Sequence, residues 1–318
     1  MKTSRPGRFI FFLFSFLFFF GAFALACISA AGTAFAQTEP EIRMLYSVSD
    51  PDHRMVLADE RGVEIRTAAG FSMYDQWSPD GERILIQLES GNPMDSDILA
   101  IMGLDLKPWQ AKGQTDPEFY FYNPRWAPDG KKILVVPMGG GIASVGADEP
   151  TLELVRAEPA DFNISAVFPS PDGTKFAATG YLLPDTTNMN NDVFVMNTDF
   201  SNRVKLTTDQ PRPSSISWSR DGKRIAFVDM PSAVLDNKVI VMDADGGNRK
   251  EFKEGFHHSV SWTDDGKLLT TWLDASVPKD RTSFLGIIDP ATGLATVLRK
   301  GVNLGLGFAE WRPMKENA

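Results

Sequence analysis

The chain has 318 residues, with 32 Lys and Arg against 41 Asp and Glu. Residues 1–36 carry Lys2, Arg5 and Arg8 and no acid, so the remainder holds 29 bases against 41 acids, a formal charge of −12. Such a surface repels phosphate backbones and anionic lipid, which excludes nucleic-acid binding by bulk electrostatics. A hydrophobic content of 43% excludes a disordered chain.

The first element is a targeting segment. Lys2, Arg5 and Arg8 precede an apolar run from Phe9 to Ala26, and ten of the 23 Phe lie within residues 1–36. Ala34-Phe35-Ala36 then supplies small residues at an A-x-A exit, so cleavage is expected after Ala36. Two alternatives stand beside it. The run approaches the length of a bilayer span and could stay as an anchor. Ala24-Leu25-Ala26-Cys27 weakly resembles a lipoprotein box. In each case the rest of the chain is expected to be exported, to the periplasm or beyond the cell. Membrane contact is expected only if this segment is retained or Cys27 is lipidated. Cys27 is the single Cys, so residues 37–318 have no disulfide, thiolate metal site or Cys nucleophile.

Three strand-like runs come next, at 42–48, 53–58 and 63–67. Then a repeat begins. Trp77-Ser78-Pro79-Asp80-Gly81 returns as Trp126-Ala127-Pro128-Asp129-Gly130, then as Pro169-Ser170-Pro171-Asp172-Gly173 with Phe168 ahead of it. It returns again as Trp218-Ser219-Arg220-Asp221-Gly222 and Trp262-Thr263-Asp264-Asp265-Gly266, and ends in a broken copy, Trp311-Arg312-Pro313. The copies are spaced by 43 to 49 residues. Pro presets a turn, Asp bonds locally to the backbone, and Gly accepts positive φ at the exit. Around each turn lie four short strand-like runs, here A to D. In one copy these are 215–218, 223–228, 238–243 and 250–253. No run carries a helical period.

Four-stranded units of this length predict an all-β, six-bladed β-propeller over residues 37–318. Only seven residues lie beyond Trp311, too few for strands B to D, while the three N-terminal runs lack a strand A. The ring is therefore expected to close through one blade shared by the two chain ends.

The repeat of W-S-P-D-G, a strand, then Val241-Met242-Asp243-Ala244-Asp245-Gly246-Gly247-Asn248 resembles the TolB-type propeller family over roughly residues 42–318. Propellers of this kind serve as periplasmic scaffolds, occur in peptidases and support some lyases, so the resemblance implies the fold more than the activity. The α/β domain that precedes the propeller in TolB is expected to be absent, with about five residues between Ala36 and the first strand. Lyases of this type use His-rich metal sites, and this chain has three His.

No G-x-S-x-G, H-E-x-x-H, P-loop or dinucleotide fingerprint appears in the sequence. No catalytic residue, metal or cofactor is therefore expected. The turn acids Asp80, Asp129, Asp172, Asp221 and Asp265 read as turn formers, and the repeated Trp as packing between blades. Asp243-Ala244-Asp245-Gly246 reads as a hairpin turn and not as a calcium loop. The A–B and C–D turns share one face of the ring, and the B–C and D–A connections share the other. The second carries the longer, polar segments, and loops on a rigid scaffold concentrate binding groups. Asp185, Asn188, His257, His258 and Arg281 are the candidate contacts there, with Lys131 and Lys223 on the opposite face. The expected function is a non-catalytic binding or scaffold protein for a protein, a peptide or an envelope polymer. The alternative is a polysaccharide-active lyase or hydrolase with its site at the channel mouth.

Overall fold

A computed structural model describes residues 40–49, 54–69, 75–88, 98–112, 121–148, 152–183, 191–208, 212–231, 236–253, 255–274, 282–302 and 305–314. The expected signal segment, Cys27 and the A-x-A exit lie outside them.

The described residues form six four-stranded antiparallel sheets set in a ring. Three strands open the chain: β1 (Met44–Ser49), β2 (Arg54–Ala58) and β3 (Glu64–Ala69). Blade 1 comes next as β4 (Gln76–Trp77), β5 (Arg83–Leu88), β6 (Ile98–Gly103) and β7 (Pro108–Lys112). Blade 2 is β8 (Phe121–Trp126), β9 (Lys132–Pro137), β10 (Ile142–Gly146) and β11 (Leu152–Arg156). Blade 3 is β12 (Phe162–Pro169), β13 (Lys175–Leu182), β14 (Asp192–Asn197) and β15 (Val204–Lys205). Blade 4 is β16 (Pro213–Trp218), β17 (Arg224–Asp229), β18 (Lys238–Asp243) and β19 (Lys250–Phe252). Blade 5 is β20 (Phe256–Trp262), β21 (Leu268–Leu273), β22 (Thr282–Ile288) and β23 (Ala295–Val302). The last strand, β24 (Gly305–Trp311), pairs antiparallel with β1, so the sixth sheet runs β24-β1-β2-β3.

The core lies between blades. Each of six apolar clusters joins residues of two neighbouring sheets, and together they go once round the ring. This explains the unbroken apolar runs of the middle strands. Ile84, Leu85 and Ile86 are all buried because both faces of β5 are covered, one by the sixth sheet and one by blade 2. A strand with one wet face would alternate instead.

The repeated turn is a small hydrogen-bonded device. Ser78 Oγ donates to Asp80 Oδ1 (2.6 Å) and accepts from the Arg83 amide (2.9 Å). Ser170 and Ser219 repeat both bonds, as does Thr263 with Asp265 and the Lys267 amide. The Gly that closes each turn has φ between +65° and +76°, the left-handed region where a Cβ is costly.

Candidate functional site

The inner strands β4, β8, β12, β16, β20 and β24 line the central channel, and at the turn face they end in the repeated Trp, or in Pro169 for β12. There they enclose a cavity of about 520 Å³. Pro79, Pro128, Pro171 and Arg220 of the A–B turns form its rim. Pro313 and Met314 of the C-terminal tail also border it. The tail is tied down by Arg220, which donates to the Met314 carbonyl (3.1 Å), and by Arg312, which donates to the Gly81 carbonyl (2.8 Å).

Two kinds of residue make the wall. The first is the aromatic set Trp77, Trp126, Trp218, Trp262 and Trp311. Each belongs to a cluster between two blades, and Trp218 is only 8% exposed. Trp218 Nε1 donates to the Phe168 carbonyl (2.9 Å) and Trp262 Nε1 to that of Ser217 (3.1 Å). Arg83 covers Trp126, Arg224 covers Trp262, and Arg312 covers Trp77. These rings pack between blades and also line the cavity.

The second kind stands one residue before the Trp slot, where the strand turns a side chain to the channel: Gln76, Arg125, Phe168, Ser217, Ser261 and Glu310. Several of them also join neighbouring inner strands, which have no backbone ladder between them. Ser261 Oγ accepts from the Trp311 amide (2.9 Å), Glu310 Oε2 from the Trp77 amide (2.7 Å), and Gln76 Nε2 donates to the Pro124 carbonyl (2.7 Å). Register shifts a few residues earlier, in β8, β12, β16 and β20, leave an extra residue in the inner strand and re-aim the side chains beyond it. Asn123 and Ser215 at those shifts have φ of 51°.

The electrostatics are uneven. Burial holds the Glu310 carboxyl up at about pKa 8, against the opposing pull of the Trp77 amide and Arg125. Asp75 is buried nearby, raised well above the carboxylate range by desolvation and then by the charge of Glu310. Among the described residues no group of three or more His, Cys, Asp or Glu could hold a metal ion.

Asp185, Asn188 and Arg281 lie outside the described residues. His257, expected near the channel mouth, is 1% exposed, with Nδ1 2.9 Å from Thr270 Oγ1 and its ring against Trp272. Strand β20 begins one residue earlier, at Phe256, and its register shift falls between His257 and Ser259. His258 takes the other side and stays half-buried beside Phe256, with its pKa lowered by burial. Sequence reasoning missed Gln76, Arg125 and Glu310. The signal available was the slot before each Trp, whose residue types share no chemistry.

No family model matches the sequence, and no curated protein is similar to it. Solved structures do match its fold. TolB from Acinetobacter baumannii is 17% identical with a TM-score of 0.60, over 86% of this chain and 67% of that one. A protein assigned as TolB from Agrobacterium tumefaciens is 18% identical with a TM-score of 0.56, over 84% and 92%. An oligogalacturonate lyase in complex with manganese is 13% identical with a TM-score of 0.54, over 82% and 75%. Identities this low speak for architecture alone, and the architecture is that of the TolB-like six-bladed β-propeller.

Proposed function

We propose that the chain is exported with loss of residues 1–36. We further propose that residues 37–318 form a binding propeller without chemistry of its own, which takes an extended segment of a partner protein or peptide into the cavity at the turn face. An envelope polymer with a slender chain is the other ligand of the same shape. The supporting observation is the cavity itself, to which all six blades contribute. Its size falls in the roughly 300–1,000 Å³ typical of ligand sites, and it is apolar with a few convergent polar groups. The Trp rings, Phe168 and the rim prolines offer apolar contact. Arg125, Gln76, Ser217 and Ser261 offer the donors and acceptors that a peptide backbone requires. Asp185, Asn188, His258 and Arg281 would serve only a partner that also reaches the loop face.

One observation favours a second reading. Glu310 keeps its proton near neutral pH inside an aromatic cavity, the property a general acid needs. That reading is a hydrolase or lyase acting on a polysaccharide.

Selection from a displayed library of extended peptides separates the two. The binding reading expects peptides that hold the wild type and are lost from Ser217→Trp, which fills the cavity, under conditions where circular dichroism shows the variant still folded without the Ser217 bond to the Trp262 amide. Peptides indifferent to Ser217→Trp would sink it. Release of sugar ends from polysaccharides, abolished in Glu310→Gln, would establish the second reading instead.

A further inference from the structure

At three seams of the ring a side chain of one inner strand accepts from the Trp amide of the next, and the accepting group differs. Between blades 4 and 5 it is Ser217 Oγ, 3.3 Å from the Trp262 amide. Between blade 5 and the sixth sheet it is Ser261 Oγ, 2.9 Å from the Trp311 amide. Between the sixth sheet and blade 1 it is Glu310 Oε2, 2.7 Å from the Trp77 amide. A serine hydroxyl does not titrate in water, whereas a carboxyl does.

A second oddity lies at the same seam. Two residues before the Trp slot stand Pro124, Val167, Ile216, Val260 and Ala309 in the other copies. In blade 1 that slot holds Asp75, which is 1% exposed with neither carboxyl oxygen hydrogen-bonded. An unpaired buried carboxylate is among the costlier features a fold can carry, and it is relieved when the group keeps its proton.

We propose that Asp75 and Glu310 form a proton-operated latch that holds the last blade to the first. With both groups neutral, Glu310 bridges the seam at no charge cost and Asp75 fills its apolar slot. Loss of the protons places two like charges in a desolvated pocket across the joint and loosens it. The charge of Glu310 acts on Asp75, and that of Arg125 of β8 acts on Glu310. Arg312 stacks on Trp77 at the same seam and donates to the Gly81 and Ile42 carbonyls.

Both carboxyls hold protons in the folded state at pH values where the unfolded chain has released them. The folded state thus binds more protons, and stability falls as pH rises from the usual carboxylate range through about 8. This is opposite to ordinary acid denaturation.

The experiment is a thermal melt of residues 37–318 at pH 6 and pH 9, with hydrogen exchange at the Trp77 and Trp262 amides. The wild type should lose on the order of 5–10 °C between the two. Protection at Trp77, corrected for intrinsic exchange, should drop about tenfold more than at Trp262. Glu310→Gln keeps an oxygen for the Trp77 amide and cannot ionise; Asp75→Leu restores the residue class of the other slots. Both should flatten the pH dependence, and Asp75→Leu should melt higher than the wild type at pH 9. Equal wild-type melting at the two pH values overturns the latch, as does a loss that persists in both variants. A carboxyl carbon NMR titration of the wild type needs no variant: two groups ionised at pH 6 would end the proposal.

Discussion

On the turn face, Ser78, Ser170, Ser219 and Thr263 each use one hydroxyl twice, to an Asp two residues on and to an amide four or five residues on. Among the described residues of the loop face no such pair of bonds recurs, and they differ from blade to blade. Met138, just beyond β9, is 70% exposed, and Tyr122 near the start of β8 is 51% exposed. Leu182 and Met230 occupy comparable positions in blades 3 and 4 and are also exposed. Hydrogen-bond geometry has few solutions, so the turn face repeats; solvent contact has many, so the loop face drifts. The cavity sits on the repeated face, where the scaffold is stiff.

The strongest way to break this contrast is to open the ring. Deleting residues 306–318 removes most of β24, leaving β1 with an unpaired edge and stripping Ala309 and Trp311 from the apolar cluster against blade 5. The truncated protein should aggregate or lose its cooperative melt, monitored by circular dichroism and light scattering. A melt like that of the full chain would mean that closure does not govern stability.

Next comes a single Trp. Trp218 sits between blades 3 and 4 and donates to Phe168. Trp218→Ala should cost about 3–5 kcal/mol in denaturant unfolding, since the cavity left between two sheets cannot collapse easily. A loss below about 1 kcal/mol would mean that the ring serves the cavity more than the core.

These two effects also mark what the sequence made legible. W-S-P-D-G encodes a local turn, so its recurrence located every A–B turn, and from them the strands and the blade count. The cavity wall was not legible. Gln76, Arg125, Phe168, Ser217, Ser261 and Glu310 share only a position, and Glu310 meets Trp77 across 233 residues of chain. Its raised pKa arises from burial that exists once the ring is assembled. The burial of His257 was not legible either, because the register shift between His257 and Ser259 is a matter of strand pairing.

A smaller effect belongs to the turns. Ser219→Ala strips the Arg224 amide and Asp221 of their shared partner, and should cost about 1–2 kcal/mol. Blade 2 supplies the natural comparison, because Ala127 already stands in that slot. The Ser219 hydroxyl and then the Lys223 amide hold Asp221 below its usual carboxylate value. Its contribution is present above the ordinary Asp range and is lost as pH falls through the folded value. In Ser219→Ala the stability difference from wild type should therefore shrink below about pH 4. A difference that is constant with pH would assign the loss to the hydroxyl's amide bond alone.

The smallest effect tests the loop face itself. Met138 is more exposed than any Trp of the repeat, so replacing it removes little buried area. Met138→Ser and Met230→Ser should each change stability by less than about 0.5 kcal/mol, as surface substitutions do. If the cavity is the binding site, peptides selected on the wild type should bind both variants unchanged, while Arg125→Ala weakens them. Binding that instead tracks Met138 and Met230 would transfer the working surface to the loop face, where Asp185, Asn188, His258 and Arg281 were expected to act. The contrast between the faces would survive in its structural form and reverse in its functional one: the stiff, repeated face would be the frame, and the drifting face the instrument.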